Sequence, residues 1–164
     1  MIFQYQKTRK AVEVVNDLIK IHNDRIAGYQ IALQSAHIDQ YLHNMISGFI
    51  AQACGYKKQL EEKVKQMDGD SAKGTTMLGK IYRVWMDLKI KFATSTRKAV
   101  VASCQYNEEI ALHVYNAALN TELENEIRTL VAQQEVGLRE TLMLIKSCKD
   151  PSRQFMNAGL VYFN

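Results

Sequence analysis

The chain has 164 residues, a net charge of +4, three cysteines and one proline. That length fits one domain with a sizeable core, and the charge falls well short of what a dedicated nucleic-acid binder carries. Cys54, Cys104 and Cys148 are odd in number and lack CxxC spacing, which excludes a zinc ribbon or disulfide framework and points to a reducing compartment.

The first ten residues, MIFQYQKTRK, are too poor in apolar side chains for a secretory signal, and no stretch approaches a membrane span. A cytoplasmic, bacterial-type location is therefore expected. The lone proline, Pro151, leaves everything before it free to run in long helices. Abundant Ala, Leu, Gln, Lys and Glu favour helix over strand.

In chain order, Val12, Val15, Ile19, His22, Ile26, Tyr29 and Leu33 recur at steps of three and four, which predicts a first helix over 7–35. Ala36-His37-Ile38 then turns the chain, and Asp39 is a ready N-cap for a second helix. That helix carries Leu42, Ile46, Phe49, Ala53, Tyr56, Leu60, Val64 and Met67 on one face. Asp68-Gly69-Asp70 ends it, with the glycine as the expected stop signal. The short link makes the two helices an antiparallel hairpin.

Residues 71–95 form a long connection that contains an amphipathic helix of its own, capped by Thr75 or Thr76. Leu78, Ile81, Trp85, Leu88 and Phe92 supply its apolar spacing. A third helix starts at Ser95 or Thr96 and runs to about Leu119. Thr121 and Glu124 read as a capping box for a fourth helix, which continues through Ile127, Val131, Gln134, Leu138, Leu142, Ile145 and Cys148 until Pro151 closes it. Two short links and one long helix-containing crossover between helices two and three predict an all-α, ferritin-like four-helix bundle over 1–150. An apolar tail, 151–164, follows. Its Phe155, Met156, Leu160, Val161, Tyr162 and Phe163 make a free end an aggregation hazard, so the tail either docks on its own bundle or a neighbouring subunit, or stays disordered.

The segments Val15–Tyr29, Gly74–Lys89 and Arg97–Leu119 resemble an uncharacterised bacterial four-helix-bundle family, a domain of unknown function in the ferritin-like superfamily. The GTT…GK…WMDLK stretch is the most distinctive part, and the resemblance covers about residues 7–150. It implies the ferritin-like fold and brings no established reaction. Members of that family often carry a Glu before the Gly-Tyr pair; here Ala27 precedes Gly28-Tyr29.

Ferritin-like di-iron sites draw on roughly four carboxylates and two histidines, with Glu-x-x-His from two of the helices. No Glu-x-x-His occurs in this chain. Glu109 and His113 stand four apart, but they align with Tyr106, Asn116 and Asn120 on a polar face and read as a solvated pair. Glu108 differs, because it falls on the apolar seam of its helix at mid-length. His22 and Gln134 do the same on helices one and four. A charge buried there needs partners, so a mid-bundle polar layer of His22, Glu108 and Gln134 is expected, extended by Gln52, Tyr29 or Tyr56. Glu108 and His22 are the weak candidates for a metal, yet one carboxylate cannot hold two irons, and a hydrogen-bonded layer that fixes register is the simpler expectation. Cys104 reads as a small buried apolar residue.

The crossover's Lys73, Lys80, Arg83, Lys89, Lys91, Arg97 and Lys98 form a basic face, better explained as solvated lysines than as a nucleic-acid or membrane surface. Trp85 reads as the anchor that docks it. The expected function is a non-enzymatic bundle acting through protein contacts as a homo-oligomer, with an unidentified protein partner and no cofactor. The alternative is a divergent iron- or manganese-binding oxidoreductase or iron-handling protein.

Overall fold

The computed structural model describes residues 2–35, 38–76 and 96–149. Four long helices lie there: α1 (Ile2–Leu33), α2 (Gln40–Gln66), α3 (Arg97–Leu119) and α4 (Asn125–Ser147). The crossover helix with Trp85 and the Lys80, Arg83, Lys89 and Lys91 of its basic face, and the tail from Pro151, fall outside the described residues. Lys73, Arg97 and Lys98 lie within them, and Arg97 pairs with Asp39 at 2.9 Å.

Local chemistry sets two of the helix starts where the sequence places them. Asp39 accepts a bond from the Leu42 N–H at 2.8 Å, and Thr96 accepts one from the Ala99 N–H at 3.2 Å, each satisfying an end group that has no helical partner. α1 begins five residues earlier than expected and ends two earlier, at Leu33.

The start of α4 differs from the capping-box expectation. Its N-cap is Glu124, which makes no side-chain cap bond. The Thr121 hydroxyl instead donates to the Ala118 carbonyl at 2.7 Å and finishes α3. Arg128 fixes this turn by donating to the carbonyls of Leu119 and Thr121. The end of α2 also divides its labour differently. Asp68, not Gly69, takes the left-handed conformation, with φ 55°. Its N–H bonds Lys65 and that of Gly69 bonds Val64, a Schellman closure. Gly69 is needed for space: a Cβ there would sit 2.8 Å from Val12 Cγ1.

Helix directions follow from which residues meet. Gly69 at the end of α2 lies against Val12 near the start of α1. His22 and Tyr29 of α1 meet Tyr115 and Glu108 of α3 in reversed order. Gln52, Gln59 and Lys63 of α2 meet Thr141, Gln134 and Glu126 of α4, again reversed. Neighbours around the bundle are therefore antiparallel and the diagonal pairs, α1 with α4 and α2 with α3, are parallel. Two parallel helices joined in sequence put the end of α2 and the start of α3 at opposite ends of the bundle, with the connection between them. Its first leg is held by α1: Asn16 bonds the Asp70 carbonyl and the Ala72 N–H, Asn23 bonds the Gly74 carbonyl, and Asp24 accepts from Thr76.

The core fills the space between all four helices, with Val15, Leu18, Ile46, Leu60, Val101, Ala111, Val131 and Leu138 among its buried members. Burying each large aliphatic side chain contributes about 1.5–3 kcal/mol. No described helix is long and apolar enough to cross a membrane.

Candidate functional site

Halfway along the bundle this apolar core is interrupted by a layer of polar side chains. Arg25, His22, Tyr29, Glu108 and Tyr115 are all fully buried, and Gln134 is nearly so. Helical spacing puts His22, Arg25 and Tyr29 on the inner face of α1, and Glu108 and Tyr115 on that of α3.

Arg25 is the hub. Its Nε donates to Glu108 Oε1 at 2.7 Å and its Nη2 to Glu108 Oε2 at 3.2 Å, so that the planar guanidinium meets the carboxylate in a fork. Nη2 also donates to Gln52 Oε1 of α2 at 3.0 Å, and Nη1 to His22 Nδ1 at 3.1 Å. Tyr29 donates its hydroxyl to Glu108 Oε1. Both carboxylate oxygens are thereby satisfied from α1.

The bond to His22 settles its tautomer. Arginine has no acceptor, so Nδ1 must be the bare nitrogen and the ring proton resides on Nε2. That proton points to the Tyr115 hydroxyl at 2.6 Å, which in turn donates to Gln134 Oε1 at 2.6 Å. Gln134 Nε2 donates to the Tyr56 carbonyl at 3.2 Å and to Gln59 Oε1 at 2.9 Å. A directed chain of donors runs from the buried guanidinium to exposed Gln59 across all four helices.

Electrostatics follow from the burial. His22 is held well below its ordinary value by burial first, then by the charges of Arg25 and Lys57, so it is neutral. Burial pulls Arg25 downward, but Glu108 beside it, together with Tyr29 and Tyr115, outweighs that pull and the guanidinium is raised. Burial pushes the Tyr29 and Tyr115 hydroxyls up, with Glu108 adding to the effect on Tyr29.

α2 and α4 meet closely at this height. The Tyr56 hydroxyl occupies the place where a Cβ would stand at Gly137. Gln52 Nε2 reaches the Gly137 carbonyl at 3.4 Å, and the Thr141 hydroxyl lies 3.2 Å from Gln52 Oε1. The His22 ring packs edge-on against both Tyr56 and Tyr115, with centroids 5.8 and 5.7 Å away.

The structure thus brings His22, Glu108, Gln134, Gln52, Tyr29 and Tyr56 into one cluster. Glu109 and His113 stand exposed on α3, with Glu109 accepting from Gln105 at 2.7 Å. Cys104 is buried, and its thiol is raised by burial. Arg25 is the residue that sequence reasoning missed. The apolar pattern led to Ile26, which is only partly buried, while Arg25 lies three after His22 and four before Tyr29 on the buried stripe. The signal was there in the need of Glu108 for a cation at its own height.

These residues do not fit a pair of metal ions. The layer offers one carboxylate and one imidazole against roughly four and two, and protein partners already engage both. Among the described residues no three His, Cys, Asp or Glu side chains gather as a metal-holding group.

A family model described as a domain of unknown function (DUF2383) matches residues 10–121. The chain belongs to this family. The match spans α1 to α3, including Arg25 and Glu108, and stops before α4 with Gln134, Gly137 and Thr141. Among solved structures the chain is similar to a Mycobacterium smegmatis Dps1 mutant, at 15% identity and a TM-score of 0.70, over 88% of this chain and 98% of that one. At such identity the likeness speaks for the fold, a ferritin-like four-helix bundle. No curated protein matches this DUF2383 member in sequence.

Proposed function

We propose that the chain is a non-enzymatic helical bundle that acts through protein contacts and assembles with copies of itself. The observation that carries this reading is the closure of the mid-bundle layer. Glu108, Arg25, His22, Tyr115 and Gln134 spend their polar atoms on one another and on Tyr29, Gln52, Tyr56 and Gln59, so that these layer groups are engaged within the chain. Such a layer fixes helix register, one use of buried polar groups in bundles. The outer face of α4 supports the second half of the reading: Val136, Met143 and Leu144 are exposed there, 53%, 70% and 44% respectively. Apolar residues exposed together point to an interaction surface. A cytoplasmic setting, no cofactor and no nucleic-acid or membrane partner go with this proposal.

The test is mass in solution by light scattering, for the native protein and for Val136→Glu with Met143→Glu. Native oligomers that the double variant dissociates, with helicity unchanged, are expected. A native monomer at tens of micromolar overturns the assembly reading. A second reading, a divergent metal-binding or iron-handling bundle, draws on the fold shared with Dps1. Elemental analysis of protein purified without chelator separates the two, because stoichiometric iron or manganese favours the second.

A further inference from the structure

A metal ion at the centre of a four-helix bundle neutralises carboxylates and ties several helices together from inside. In this bundle one side chain does both. The Arg25 guanidinium neutralises Glu108 of α3, bonds His22 on its own helix, and bonds Gln52 of α2. Through Gln52 it is linked to the Gly137 carbonyl of α4. The atoms around it are a carboxylate, an imidazole nitrogen without its proton and an amide oxygen. That is a donor set of the kind divalent first-row metals take. Arginine can neither lose its charge nor accept a bond, so these donors have a permanent cation facing them.

We infer that Arg25 stands in for a divalent cation and keeps one out of the layer, so that its removal uncovers a metal site built on Glu108 and His22 with Gln52 beside them. This rests on the structural reading of the layer and deepens it: one residue decides whether the bundle is organised by its own chain or by a metal. The second-row features agree. Tyr29 donates to the same Glu108 oxygen as Arg25 Nε, and the protonated Nε2 of His22 is anchored on Tyr115. A backing bond on the far ring nitrogen is how metal-ligating histidines are oriented.

Cobalt(II), added anaerobically to the full-length protein after chelator treatment, is the probe. Bound metal is counted after equilibrium dialysis, and visible absorption and the thermal midpoint are recorded. The native protein is expected to hold no stoichiometric cobalt, with a midpoint that neither cobalt nor chelator moves. Arg25→Ala is expected to bind one ion per chain and to gain about 5–10 °C at a hundredfold excess over Kd. Adding Glu108→Gln to that variant abolishes both. Should Arg25→Ala not fold, Arg25→Gln carries the same comparison with less volume lost. Stoichiometric cobalt in the native protein that Glu108→Gln removes would overturn the inference, as would a folded Arg25 variant that binds none. Light scattering on the same samples keeps the two proposals apart, since an intact native oligomer together with a folded Arg25 variant that binds no cobalt defeats this one alone.

Discussion

Arg25 Nε and Glu108 Oε1 lie 2.7 Å apart at the centre of the bundle, joining α1 to α3 across 83 positions of sequence, and both side chains are fully shielded from solvent. Two charges without water repay their desolvation only while each has the other. Removing one partner strands the second in a low-dielectric core. Arg25→Met and Glu108→Leu are each expected to cost about 3–5 kcal/mol in urea unfolding at neutral pH. The double variant, with an apolar pair in place of the ions, is expected to lose less than either single change. A double variant at the sum of the two would show that the pair contributes nothing beyond its parts.

His22 is neutral and bonded at both ring nitrogens. Because its folded pKa is lowered by burial, Arg25 and Lys57, the unfolded chain takes up a proton that the folded chain refuses. Stability then falls as pH drops below the unfolded histidine value of about 6.5 and is flat from this group above it. Unfolding free energy measured from pH 8 to pH 5 should show that slope, and His22→Gln should reduce it. Nitrogen-15 NMR should find Nδ1 bare and Nε2 protonated across the range; an imidazolium signal at pH 6 contradicts the assignment.

At the end of α2 the two neighbouring positions should respond in opposite directions. Asp68→Gly relieves a left-handed residue at φ 55° and is expected to stabilise by about 0.5–1 kcal/mol. Gly69→Ala drives a methyl into Val12 and is expected to cost about 1–3 kcal/mol. Thermal unfolding of the two variants is sufficient, and the reverse order would mean that the closure has been misread.

Gly137 holds α4 against α2 because the Tyr56 hydroxyl fills the space beside its Cα. Gly137→Ala gains helix propensity of about 1 kcal/mol and should still come out destabilising, since the Tyr56 ring must swing away from its edge-on packing against His22 to admit the methyl. In Tyr56→Ala the same substitution should become stabilising. The four unfolding energies form a cycle; additivity within about 0.5 kcal/mol would mean that the two residues do not meet.

What the sequence determined by itself is what depends on neighbours along the chain. Asp39 and Thr96 cap their helices because the cap bond spans three residues. The three-and-four spacing fixed four long helices, and the one long link fixed their connectivity. Glu108 on an apolar seam was enough to require a polar layer. Tertiary structure decided the rest. The Thr121 hydroxyl had two local choices, and the chain took Ala118 once Arg128 pinned the turn from the next helix. The three-and-four apolar spacing passes over Arg25, since a long cation is ordinarily solvated. It turns inward only because folding brings Glu108 from α3, Gln52 from α2 and His22 from its own helix to one height. That convergence supplies the partners that make a buried charge tolerable, and spacing along one helix cannot reveal it.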